Sequence, residues 1–173
     1  LFSATDRFPE DPHIAWLSTV GREGHPPEWT SAAYPYMGYF CMRSGWERDD
    51  TYCLFDSGSM GEWHGHDDML AFVLYSHGRM HVRESGYYGG WCGSEHNVVL
   101  IDGKPPSRRH GPETMHLQLL NEPYESNRWR TTTDFDYASG DYDGGWTNPK
   151  QPDEDWPRPV RHMRWKRAFF FAK

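Results

Sequence analysis

The sequence predicts an all-β domain, an antiparallel β-sandwich entered through one short helix. Three observations carry that expectation. Hydrophobic residues make up 36% of the chain and aromatics 16%, so rings supply much of the burial that aliphatic side chains usually supply; aromatic residues fit strands better than helices. Apolar, β-branched or aromatic runs recur between Gly, Asp and Pro residues, the pattern of successive short strands and turns. Only one segment reads as a convincing helix, and no internal repeat is evident. A chain of 173 residues holds one principal domain with a real core, not two large ones.

Taken in order, Asp11-Pro12 followed by His13 to Val20 reads as a short helix with Pro in its first turn and Gly21 as its stop. Arg22 to Tyr36 is rich in Gly, Pro and polar residues and reads as a linker. The expected division is therefore 1–35, short helix and linker, and 36–173, sandwich. Strands are expected over Tyr36 to Arg43, Thr51 to Asp56, Leu70 to Ser76, Arg79 to Glu84, Asn97 to Ile101, Met115 to Leu120 and Val160 to Phe171. Asp134 to Asp155, poor in apolar residues and rich in Asp, Gly and Pro, reads as a long surface loop. Within it Asp141-Tyr142-Asp143-Gly144-Gly145 lacks the closing Glu of an EF-hand, so a solvated loop is expected in place of a calcium site. Arg164 to Lys173 is strand-like with no turn after it, which reads as a sheet cut off at its C-terminal side.

The net charge of −7 argues against a general nucleic-acid binder, because phosphate binding needs a basic face. A polyanionic ligand would have to be met by local cations or a metal. No window of about 18 apolar residues is present, so no membrane span is expected. Leu1 to Glu10 lacks the apolar core of a signal peptide. Cys41, Cys53 and Cys92 show no CxxC spacing. Cys41 and Cys53 flank an expected hairpin turn at Gly45 to Asp50, where a cross-strand disulfide and two reduced, half-buried thiols are both compatible with the sequence.

The chemistry concentrates in Phe55-Asp56-Ser57-Gly58-Ser59-Met60-Gly61-Glu62-Trp63-His64-Gly65-His66-Asp67-Asp68. Two histidines one residue apart on an extended segment point to the same side, and neutral imidazoles at that spacing make good zinc ligands. The alternative is a surface loop with two chance histidines in a chain that holds ten. Zinc takes three or four ligands, so the pair is incomplete alone. Glu84, ending a strand after the Gly78-Arg79 turn, and His96, opening the apolar run Asn97 to Ile101, are the candidates to complete it. His81 lies three residues before Glu84, on the opposite strand face, and reads as a solvated histidine. Tyr87 and Tyr88 either line the same cleft or pack in the core. Trp46, Trp63 and Trp91 read as packing residues before sugar-stacking ones. Lys104, Arg108 and Arg109 form either a small anion-holding group or an ordinary solvated turn.

Tyr39 to Trp46, Leu54 to Gly58, His64 to Phe72, Gly78-Arg79 and His96 to Gly103 follow one another in an order and spacing that resembles heparinase II/III-like polysaccharide lyases. The resemblance covers Tyr36 to Gly103 well and Arg164 to Lys173 weakly. It implies an N-terminal α/α-toroid paired with a C-terminal β-sandwich, with catalysis in the cleft between them. This chain would be the sandwich, its helix the last piece of a toroid otherwise without counterpart here. The resemblance also implies a role for His64 as active-site histidine, zinc or another divalent metal on His66 and His96, and Glu84 at a position where the family usually places Asp. Its implied partner is an acidic, uronate-containing polysaccharide, its reaction β-elimination, and its location the periplasm or the cell exterior. The acid/base tyrosine would come from the toroid; within this chain only Tyr88 offers a substitute.

Two rival readings stand beside it. Gly58, His64-x-His66 and Gly78 match the first cupin motif, although Ala71 occupies the place of its glutamate and no second motif follows His96. A metal-stabilised carbohydrate-binding sandwich without catalysis is the other.

Overall fold

A computed structural model describes residues 4–58, 68–84, 96–106, 127–142, 146 and 163–173. The chain divides into two compact units, Leu1–Thr30 and Ser31–Lys173. In the first, α1 is Ala4–Arg7 and α2 is Pro12–Ser18. The Asp11 carboxylate caps α2 by accepting from the backbone N–H of His13 at 2.9 Å and of Ile14 at 3.2 Å, satisfying donors that the helix itself leaves over. Gly21, at φ +81°, donates its N–H to the Trp16 carbonyl and closes the end. The helix foreseen at His13 to Val20 thus ends two residues sooner, at Ser18.

The second unit consists of two antiparallel sheets among the described residues. One has the order β1-β2-β3-β4-β5, formed by Ala32–Tyr34, Tyr39–Arg43, Tyr52–Asp56, Phe72–Ser76 and Arg79–Val82. The other has the order β6-β7-β8, formed by Arg128–Thr131, Phe135–Tyr142 and Trp165–Ala172. Period-two alternation decides which side chains turn inward. Phe40 and Met42 on β2 oppose Phe55 and Cys53 on β3, and all four are buried. From β7 and β8 come Ala138, Tyr142 and Phe171, joined by Trp146. Rings seal the gap between the sheets: Phe40 stacks on Trp129 at 5.6 Å, and Phe169 meets Phe55 at 4.9 Å and Phe72 at 5.0 Å. The structure is the all-β sandwich that the sequence predicts.

Polar ties reinforce the ring contacts. The Ser57 hydroxyl donates to Asn127 Oδ1 at 2.6 Å, and Asn127 Nδ2 returns a bond to the Ser57 carbonyl at 3.1 Å. Ser31 Oγ donates at 2.5 Å to the fully buried carboxylate of Asp136 on β7, whose other oxygen lies 3.0 Å from Lys173 Nζ. Gly38, at φ +75°, is required by a close approach, since a Cβ there would lie 2.3 Å from the backbone of Gly58.

Several expectations are corrected. Asp134 to Asp155 is not a loop throughout, because Phe135–Tyr142 is the central strand of the smaller sheet. Its inward set, Asp136, Ala138, Gly140 and Tyr142, contains one large apolar side chain, Tyr142, and is otherwise small or charged, which conceals a buried strand from a hydrophobic count. Strands β1 and β6 were not foreseen, and β1 falls inside the stretch read as linker. Among the described residues Asn97 to Ile101 forms no strand, and its one ladder contact is the isolated bridge Ile101↔Lys104. The hairpin turn after β2 is present, but its register opposes Cys41 to Leu54 and Cys53 to Met42. The two thiols therefore lie on opposite faces, and both are free. The foreseen strand Met115 to Leu120 lies outside the described residues.

Candidate functional site

The site grows from the edge of the larger sheet. Strand β5 pairs Val82 with Leu74 and then stops, so Phe72 has no β5 neighbour. Asn97 fills that place. Its Oδ1 accepts from the Phe72 N–H at 3.0 Å and its Nδ2 donates to the Phe72 carbonyl at 2.6 Å, as an adjoining strand would. The second hydrogen of the same Nδ2 goes to Oε1 of Glu84, which follows β5. Glu84 Oε2 in turn accepts from Nδ1 of His96. A carboxylate has no hydrogen to give, so the shared proton belongs to the ring and Nε2 is the nitrogen bearing the lone pair when the ring is neutral. The His96 side chain is only 2% exposed, that of Glu84 25%.

Arg167 of β8 supports this group from the smaller sheet. Its Nη1 donates to the Leu70 carbonyl, to the Asn97 carbonyl at 3.0 Å and to Asn97 Oδ1 at 3.3 Å. The guanidinium lies 5.0 Å from the ring centre of Phe72 and 4.9 Å from that of Trp165. Burial draws its pKa below the ordinary arginine value, and the charge of Glu84 pushes it back up. Acid collects nearby as well. Burial, then Asp68 and Glu84, raise the Asp56 carboxyl to about 7 against the Gly58 N–H, which favours its charged form. Asp56, burial and Asp68 together raise Tyr39 above the ordinary tyrosine value.

Of the site residues expected from sequence, Glu84 and His96 are brought into contact. His64, His66 and Tyr88 lie outside the described residues, as do Tyr87, Trp63, Trp91, Arg108 and Arg109. His81 is exposed, with its Nε2 3.0 Å from Ser76 Oγ, in keeping with a solvated strand histidine. Trp46 packs under Arg43, whose guanidinium lies 4.3 Å from its ring centre. Lys104 is buried, which a solvated turn does not account for. Among the described residues no three His, Cys, Asp or Glu side chains gather closely enough to hold a metal. The imidazole of His96 and the carboxylate beside it are nevertheless donors of the kind zinc takes. Sequence reasoning missed Asn97 and Arg167. The available signal was an arginine on the inward side of a strand otherwise made of rings.

A family model described as heparinase II/III-like, C-terminal, matches residues 26–147. The chain belongs to that family. A heparin-sulfate lyase of Pedobacter heparinus is 27% identical to this heparinase II/III-like domain over 154 residues, covering 88% of the chain and 22% of the relative. One of Bacteroides stercoris is 33% identical over 81 residues, 47% of the chain and 12% of the relative. The domain thus spans about a fifth, or less, of the length of these lyases. Among solved structures, a heparinase III with methylated lysines superposes with a TM-score of 0.70 at 20% identity, over 96% of this chain and 24% of that one. The heparan sulfate lyase of Pedobacter heparinus gives 0.66 at 20% identity, over 97% and 24%. The superpositions show a common fold, and the family assignment displaces the cupin-type reading.

Proposed function

We propose that this heparinase II/III-like domain is the metal-binding sandwich of a polysaccharide lyase that cleaves a heparan-sulfate-type polymer by β-elimination. The observation that carries the proposal is the contact between Glu84 and the buried imidazole of His96 in a family member whose relatives bear the name heparin-sulfate lyase. The remaining polypeptide is an α/α-toroid, and the polymer lies between the two. Since the substrate is extracellular, the complete enzyme works in the periplasm or outside the cell.

Elimination removes the proton at C5 of the uronate, expels O4 and leaves a C4–C5 double bond. The C5 proton is a weak acid because the neighbouring carboxylate is charged, and neutralising that charge lowers the barrier. His64 neutralises it or takes the proton, according to the epimer. A tyrosine protonates the departing O4, either one from the toroid or Tyr88. His66, Glu84 and His96 would hold zinc, and its charge would pin the segments that carry them.

The unsaturated uronate absorbs in the ultraviolet, so the test is direct. The isolated chain is given heparan sulfate, hyaluronan, alginate and ulvan, alone and joined to a toroid domain. Cleavage of heparan sulfate is expected only from the joined protein, with loss of activity in His64→Ala at unchanged zinc content and loss of zinc in His66→Ala. Robust cleavage by the isolated chain would overturn the division of labour. Polymer binding without cleavage by the joined protein would make the domain a carbohydrate-binding module.

A further inference from the structure

We infer that the outer face of the smaller sheet is a second binding surface, which takes an acidic sugar chain with Phe170 under its rings and Arg130 on its anionic groups. The inference rests on the function proposed above for the kind of polymer alone; the surface is built from residues that the candidate site does not use.

Alternation along β8 separates the two. Trp165, Arg167, Phe169 and Phe171 turn inward, and Arg167 reaches Asn97 on that side. Lys166, Ala168, Phe170 and Ala172 are exposed on the other. Register then sets the rows of this outer face. Arg130, Tyr137 and Phe170 lie side by side across β6, β7 and β8, Arg128, Ser139 and Ala168 form the next row, and Asp141 lies beside Lys166 beyond them. Ser139 is buried, so contacts fall to its neighbours.

Phe170 is 71% exposed on a strand that a full ladder fixes to β7. A large apolar ring held rigidly in water is the kind of exposure that marks a binding surface. Phe135 stacks on it at 5.0 Å with the planes 21° apart, and the Arg130 guanidinium lies 5.8 Å from the centre of the Phe135 ring. The face thus offers two rings and a guanidinium in one continuous run. A pyranose carries C–H bonds on its faces, and these pack against the negative face of an aromatic ring. Sulfate and carboxylate groups accept paired hydrogen bonds from a guanidinium.

Charge decides among occupants. Arg128, Arg130, Arg164 and Lys166 are exposed on this face, and its carboxylates among the described residues are Asp141, which bonds Arg164, and Asp134 at the rim between β6 and β7. Cations therefore exceed carboxylates by four to two there, in a chain whose net charge is −7. A second copy docked face to face would set these cations against themselves. A nucleic acid needs a longer basic stripe than four side chains give. A sugar chain with spaced anions and apolar ring faces between them matches both the charge and the rings.

The purified chain is titrated with heparan sulfate fragments, neutral dextran and a single-stranded DNA oligonucleotide, and its sedimentation is followed alongside. Heparan sulfate is expected to bind and dextran to give no signal. Phe170→Ala and Arg130→Gln should each weaken binding about 10-fold, as loss of an interface anchor does, while Phe170→Trp keeps the affinity. Arg79→Gln, an equal change of charge on the exposed β5 of the other sheet, should leave it unchanged. Thermal unfolding checks that each variant is folded. Absence of binding overturns the inference, and so do folded Phe170→Ala and Arg130→Gln proteins that bind as wild type does. An Arg79→Gln protein as weak as Arg130→Gln, tighter binding of the oligonucleotide, or a wild-type dimer that Phe170→Ala dissolves overturns it as well. Heparan sulfate held through these residues by a toroid-joined protein that cleaves no polymer would sink the lyase reading and leave the surface standing.

Discussion

The pair Asp136 and Lys173 allows an asymmetric prediction. Asp136 is fully buried, and besides Lys173 Nζ at 3.0 Å its one bonded partner among the described residues is the Ser31 hydroxyl at 2.5 Å. Lys173 is better provided for. Its Nζ also reaches the Thr132 carbonyl at 2.9 Å and Thr131 Oγ1 at 3.2 Å, and its side chain is 13% exposed. Lys173→Met therefore strands a buried carboxylate on a single neutral donor and is expected to cost about 3–5 kcal/mol. Asp136→Asn leaves the ammonium with two neutral acceptors and some water, and is expected to cost about 1–3 kcal/mol. At about 2–4 °C per kcal/mol for a domain of this size, Lys173→Met lowers the melting temperature by roughly 6–20 °C. Combining the two changes removes both charges and should recover most of that loss. Urea titrations at neutral pH, with the slope checked for constancy, measure all three. If Lys173→Met proves no more damaging than Asp136→Asn, the carboxylate is not the group in need, and the reasoning fails.

Three further outcomes are expected. Burial and neighbouring acid raise Asp56 to about 7 from an ordinary 3.8, so the folded state binds its proton more tightly than the unfolded chain does. Its contribution to stability is complete below the unfolded value and is lost as pH rises through about 7; Asp56→Asn should flatten that part of the unfolding profile and stabilise the domain above it. Gly140→Ala would place a Cβ 1.8 Å from Ser57 Oγ and 2.9 Å from Asn127 Oδ1, and the displaced tie should cost about 1–3 kcal/mol in the same titrations. Burial pushes the Cys53 thiol up to about 12 and raises Cys41 as well, so both should react slowly with alkylating reagents until the domain unfolds, and mild oxidation should leave them unlinked to each other. Peptide mapping that finds a Cys41–Cys53 bridge would contradict the register of β2 and β3.

What could be read from the sequence follows physical lines. Strands β2 to β4 and β8 announce themselves because their inward faces carry Phe, Met, Leu or Trp between clear turns, and β5 because the Gly78 turn sends the chain back along β4. Strand β7 hides because its buried face is finished by partners from elsewhere: Lys173 answers Asp136, and the bare backbone of Gly140 makes room for Ser57. Asn97 to Ile101 misleads in the opposite way. Its apolar run looks like a strand, but Asn97 bonds to Phe72 through its side chain. Glu84 and His96 were reached through the HxH segment and the family resemblance. Arg167 follows Asn97 by 70 residues, and local pattern holds no trace of such a partner.

That separation also bears on how the domain is made. The bond from Arg167 to Leu70 spans 97 residues and the one from Ser31 to Asp136 spans 105, and contacts this distant in sequence are slow to close. During synthesis the hairpins β2–β3 and β4–β5 can pair as soon as they emerge, whereas Glu84 and His96 wait for β8. A nascent chain lacking β8 holds a sheet with an exposed aromatic face and no fastening for its histidine, the interval in which association with other chains competes with folding.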